Sequence, residues 1–364
     1  MKKLIVFLII LNIFSLKISA EEFYGSQYDL SGITKAENIL PKDTKEILKK
    51  EEISPQNPDF VKNLTTENVF KHIWGFVHSG AKEPIKIGAL ILAVILISAA
   101  VEAGVTDISK ESAGYATVIS AGVIIAVPLS SVITAGVDTL KGCSVFMTSF
   151  VPIFAAVTAA GGKAATAVSM SALLLGAAEV VSYISSFVII PLMTGYLSIS
   201  LCSAASPILA NSSLGDGVKK LSLWIMGFIS TVFVGVLSIQ TAVNSSADTL
   251  TSRTAKFIVG TTVPVAGNLL SEALTTVTAS MGLLKATMGI YGVIATLLIF
   301  LPLLIELILW RIMLNINATV SDLFSLSKIS GILRSADSVL SVLVGIIILS
   351  AAIFVISLSV VVSK

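Results

Sequence analysis

Between Ala164 and Leu209 the chain carries one charged side chain, Glu179. A soluble fold clothes its elements in charge, at about a quarter of all residues. Here only 13% of 364 residues are charged, 55% are hydrophobic, and the mean hydropathy is +0.95. Such a stretch has to be solvated by lipid or by other apolar helices. Inside a bilayer the backbone must satisfy its own N–H and C=O groups, so the chain crosses as helix.

The charges that remain are unevenly placed. Residues 87–364 hold 23 charged side chains, 11 acidic and 12 basic, whereas the much shorter 21–68 holds 16, of which 10 are acidic. A polar N-terminal segment is therefore joined to a long membrane domain. The net charge of +2 comes without a basic cluster, and no nucleic-acid partner is expected.

Residues 1–20 have the order of a secretory signal: Lys2 and Lys3, an apolar run from Leu4 to Leu16, then Ile18-Ser19-Ala20 before Glu21. An uncleaved anchor is the alternative. In either case 21–64, rich in Lys, Glu, Asn and Pro, is expected outside the cytoplasm as a loosely ordered or short-helical segment. Over 65–85, Phe70, Ile73, Trp74 and Val77 fall on one helical face behind Thr65 or Thr66 as N-cap. That spacing predicts an amphipathic helix suited to the membrane interface, with His72 and His78 as polar residues of that surface.

Residues 86–364 are predicted to form an all-α polytopic domain. Seven apolar segments near 87–105, 115–137, 143–161, 170–194, 221–243, 287–311 and 338–361 reach the roughly 20 residues a helix needs to cross. Pro191 and Pro207 make the fourth either one long kinked helix or a span followed by a half-helix. Pro128, Pro152, Pro264 and Pro302 also lie in apolar sequence, where each removes a backbone donor and bends or breaks its helix. Two further stretches read as amphipathic helices rather than simple spans. One runs from Leu270 through Leu274, Val277, Met281 and Leu284; the other, before the last span, carries Leu326, Ile329, Leu333, Ala336 and Leu340 on one side.

Chemistry has little to work with. There are two His and two Cys, no phosphate-binding loop, no dinucleotide fingerprint and no hydrolase or metalloprotease motif. No enzyme activity, metal or cofactor is expected, and Cys143 and Cys202 read as small buried residues. Two acids fall inside spans, where a carboxylate is costly enough to be a functional candidate. Glu179 is the more central, and both a hydrogen-bonded structural role and a pathway role fit it. Glu306 stands near Trp310 and Arg311, read as the interfacial end of its span, and so fits a carboxylate reaching headgroups or pairing with Arg311.

The region between the fifth and sixth spans is different in kind. Arg253 and Lys256, three apart, are followed by Phe257 and then by Gly260, Pro264 and Gly267, which spoil a helix. The cations read as one face of a short helix at the membrane boundary, held by lipid phosphates or by an acidic partner. Gly260, Pro264 and Gly267 then turn the chain.

This stretch resembles the stage III sporulation protein AE family of endospore-forming bacteria. The match rests on Ser238 and Gln240, the Arg253-Thr254-Ala255-Lys256-Phe257 block with Gly260, Pro264 and Gly267, then Lys285 and the run Gly289 to Val293. It extends more weakly over 66–362. The resemblance implies a non-enzymatic, multi-pass component of the mother-cell membrane around the forespore. It would work with the other proteins of its operon and a forespore-side membrane partner, in a channel or secretion-like complex needed for late forespore development. The composition also fits a stand-alone secondary transporter or ion permease, whose helices are often broken; however, no paired repeat is evident.

Overall fold

A computed structural model describes residues 32–57, 60, 66–104, 107–205, 217–218, 220–240 and 267–363. Helices account for nearly all of them, and no strand occurs among the described residues. Two short helices come first, α1 (Ile33–Glu37) and α2 (Lys42–Lys50), then α3 (Thr66–Gly80) and α4 (Lys82–Gly104). The long elements are α5 (Asp107–Ala160), α6 (Ala164–Ile184) and α7 (Ile190–Ala205). They are followed by α8 (Lys220–Gln240), α9 (Gly267–Leu323) and α10 (Ser327–Ser363). Six stretches are long and apolar enough to cross a membrane: 82–104, 114–160, 164–199, 220–240, 280–323 and 327–359.

Six agrees with the expected six to eight, and the difference from the seven apolar segments of the sequence lies in α5. The segments 115–137 and 143–161 are a single helix, because the linking Asp138-Thr-Leu-Lys141-Gly142 contains nothing that stops one. Asp138 and Lys141 only make its middle polar. The 54 residues of α5 reach about 80 Å at 1.5 Å each, against a hydrocarbon layer of about 30 Å. The amphipathic stretch from Leu270 is likewise continuous with the span after it, both belonging to the 57-residue α9.

Between α6 and α7 the chain makes a π-helical turn, Ser185–Ile189, just before Pro191. Proline cannot donate to the residue four back and its ring crowds that carbonyl. Widening the preceding turn removes the clash, so 164–205 is one bent rod instead of a span with a separate half-helix.

α9 and α10 form the central antiparallel pair. α5 lies against both, α6 and α7 pack on α5 and α10, and α4 packs on α5 and α9. The turn between α9 and α10 is tight: the amide of Leu326 donates to Ser321 O at 2.9 Å while Ser325 takes φ 61°. Leu326, just before α10, and Ile329, Leu333, Ala336 and Leu340 on it, which the apolar spacing put on one side, are all buried. Where α5 crosses α9 a stack of rings fills the space, Phe146 to Phe150 at 5.2 Å and Phe150 to Phe154 at 5.6 Å. Gly292 of α9 sits directly against it: a Cβ there would lie 2.7 Å from two Phe150 ring carbons.

Hydroxyls are numerous inside this apolar bundle; those of Ser321 and Ser350 find no partner among the described residues, but many others are satisfied locally. Thr158 donates to Phe154 O, Thr296 to Gly292 O and Ser357 to Ile353 O, each to its own helix four residues back. That bond lets a Ser or Thr sit in a dry interface without a second partner.

The N-terminal segment is folded against this bundle. Ile33, Ala36, Leu40, Leu48 and Ile53 are buried, and the Thr44 hydroxyl donates to Leu298 O of α9 at 3.4 Å. Glu51 beyond α2 meets His72 of α3 at 2.9 Å. α3 presents Phe70 and Trp74 outward, 66% and 63% exposed.

Candidate functional site

Among the described residues the arrangement offers charges that lock helices together. On the α9–α10 seam, about three helical turns from the connection between them, the Arg311 guanidinium donates to both Asp337 oxygens, at 2.8 and 3.4 Å. A fork of this kind fixes the register of two antiparallel helices more tightly than apolar packing, which tolerates sliding. Trp310 beside it is 1% exposed, so it is a core residue and does not anchor an interface. Near the α9–α10 turn, Arg334 reaches Asp322 at 2.5 Å. Lys328 lies over the ring of Tyr115, 3.5 Å from its centroid, tying the start of α10 to α5. Glu102, at the end of α4, borders the same place: its Oε1 and Lys328 Nζ would lie 3.7 and 3.9 Å from a Cβ on Gly114. This cluster joins α4, α5, α9 and α10 at one end of the bundle.

The sequence candidates fall in several places. Arg253, Lys256, Phe257, Gly260 and Pro264 lie outside the described residues. Gly267 is the first residue of α9, and Lys285 lies on the same helix, 4% exposed. Glu306 is half-buried on α9 where α3 ends, its Cα and Cβ 3.7 Å from a Cβ built on Gly80. Arg311 does not turn back to Glu306; five residues apart they point to different sides of the helix, and Asp337 is nearer. Glu179 is exposed on the outer side of α6 and has no hydrogen bond or ion pair among the described residues. Cys143 is buried, Cys202 is exposed, and both are free thiols. Cys202 departs from expectation because it stands on the outside of α7, a face that apolar composition alone does not distinguish from the inside.

Sequence reading missed the Arg311–Asp337 fork and the Lys328–Tyr115 contact. Both join residues remote in sequence or on separate helices. The available signal was the scarcity of charge itself: an ionised group held in an apolar helix has to be matched by a partner. Among the described residues no three His, Cys, Asp or Glu side chains group as a metal set.

Comparison with known proteins bears on the whole bundle. The family model described as Stage III sporulation protein AE matches residues 49–364, from the end of α2 through α10. The Stage III sporulation protein AE of Bacillus subtilis (strain 168) is 28% identical over 156 residues, covering 43% of this chain and 39% of that relative. The chain thus matches about two fifths of the curated relative's length. No solved structure matches.

Proposed function

The chain belongs to the stage III sporulation protein AE family, and from that premise we propose that it is a non-enzymatic membrane subunit of the complex linking mother cell and forespore. The single observation that carries this reading is the family match, which runs through every long helix of the bundle. The fold supports it in kind: six apolar helices able to cross a membrane, tied by ion pairs. In this reading the protein sits in the mother-cell membrane around the forespore with its N-terminal segment outside the cytoplasm. Its partners are the other products of its operon and a forespore-side membrane protein. The complex acts as a channel or secretion-like apparatus for late forespore development.

Deletion of the gene tests the proposal. Arrest after engulfment, with the tagged protein co-purifying with the other operon products, is the expected outcome. Normal sporulation with a defect in uptake of one solute would replace it with a permease. Within the complex, Arg253 and Lys256 are assigned to contact with an acidic partner surface. Replacing both by Gln should leave membrane insertion intact and lose co-purification; loss of insertion would reduce them to determinants of topology.

A further inference from the structure

α6 and α8 stand apart over Ile353 of α10 and leave an outward-facing groove of about 430 Å³. Its walls are apolar, with Val180 of α6 and Phe228 and Val232 of α8 all about half exposed. Its α6 side is low, because Ala172 and Gly176 carry little or no side chain. A Cβ on Gly176 would meet nothing within 4 Å. Small residues one turn apart on an exposed membrane helix let another backbone approach closely.

One polar group lines this groove and a second, Glu179, stands outside its lining at the α6 rim. Gln240, at the end of α8, lines the groove with its Oε1 buried and lacking a hydrogen-bond partner. Glu179 follows Ala172 and Gly176 at spacings of four and three, which puts all three on one face of α6. Side chains in a helix lean towards its N-terminus, so the Glu179 carboxylate leans over the Gly176 turn. No cation among the described residues of this wall answers it. α6 has no other charged residue, and the only one on α8, Lys220, opens that helix two turns before Phe228.

A wall of exposed Val and Phe is covered either by lipid or by protein, and neither leaves a bare carboxylate at low cost. Lipid tails offer no donor. A second copy in a two-fold contact would bring its own Glu179 against this one, like charge to like. We propose that the α6–α8 groove docks a membrane helix of a different polypeptide, which lays its side chains over Gly176 and brings a Lys or Arg to Glu179. This deepens the reading of the chain as a subunit of an assembly by stating what one partner helix must carry.

The test places a photo-crosslinking benzoyl-phenylalanine at Val232 of the full chain in sporulating cells and sequences the adduct. The expected product joins Val232 to an apolar helix of another polypeptide that contains Lys or Arg. Glu179→Lys should lower its yield about tenfold or more, Glu179→Asp should preserve it, and reversing the partner's cation to Glu should restore it in the Glu179→Lys background. Gly176→Leu, which fills the groove where the fold itself has room, should lower the yield equally, and it decides the matter if Glu179→Lys fails to reach the membrane. Adducts with lipid alone, an adduct of twice this chain's mass, a partner helix without a cation, or a yield indifferent to Glu179→Lys and Gly176→Leu would each overturn the proposal. Normal sporulation of a deletion strain would remove the proposed function and leave this adduct as it stands.

Discussion

Gly292 offers the sharpest test of how α5 and α9 pack. In the substitution Gly292→Ala the new methyl would stand 2.7 Å from two carbons of the Phe150 ring and 3.4 Å from Leu358. Carbon atoms rest at about 3.5–4.0 Å, so the ring or the helix must yield by roughly 1 Å. The ring has nowhere to go, since Phe150 is fully buried and Phe146 and Phe154 stack on its two sides. Overpacking of this kind costs about 1–3 kcal/mol. Against it stands the helix preference of Ala over Gly, about 1 kcal/mol. Gly282, on the same helix, isolates that second term because a Cβ there meets nothing within 4 Å. Gly282→Ala should therefore stabilise by up to about 1 kcal/mol, and the two variants should differ by about 1–3 kcal/mol. The measurement is unfolding of the purified protein in mixed micelles by titration with a denaturing detergent, followed by far-ultraviolet ellipticity. Adding Phe150→Leu should recover part of the Gly292→Ala loss and make the pair non-additive. Equal shifts for Gly292→Ala and Gly282→Ala would refute the close crossing of α5 and α9.

Asp337→Asn should destabilise the α9–α10 pair by about 1–3 kcal/mol in the same titration, less than a fully dry pair would lose because Arg311 is 34% exposed. Replacing Arg311 and Asp337 together by Leu should cost less than the sum of the single changes. Ser325→Gly should stabilise by about 1 kcal/mol, because Ser325 holds φ 61°, a backbone region costly for residues with a Cβ. At the α5–α6 turn the reverse holds: Gly162 has φ 83° and Lys163 donates back to Thr158 O, so Gly162→Ala should cost about 1–2 kcal/mol.

Much of the architecture was legible because lipid leaves the chain few choices. Apolar length alone located the long helices, and spacing put Leu326, Ile329, Leu333, Ala336 and Leu340 on one side, which only the packing shows to be the buried one. Where the reading fell short, the deciding term was tertiary. Nothing local in Asp138 to Gly142 says whether the chain turns there or continues, since such residues suit a helix as well as a loop. Pro191 announced a bend, but only the neighbouring helices choose a widened turn over a break. The charged pairs were hidden for a different reason. Arg311 and Asp337 are 26 residues apart, and their meeting depends on the register of α9 against α10 rather than on any spacing within either helix. Trp310 misled because an aromatic beside an arginine is the usual mark of an interface, and here it is packed inside.

The length of α5 has a consequence for assembly. An apolar rod whose two halves together exceed the thickness of one hydrocarbon layer is subject to hydrophobic mismatch: it has to tilt, bend at Pro128 or Pro152, thicken the surrounding lipid, or gather neighbours that shelter the excess. Each of the first three responses costs more the straighter the helix is held, and α9 and α10 hold α5 along its length. Gathering neighbours relieves the same penalty without deforming anything. The bilayer itself then favours clustering of this chain with other apolar subunits, and thinner membranes should strengthen that tendency while thicker ones relax it.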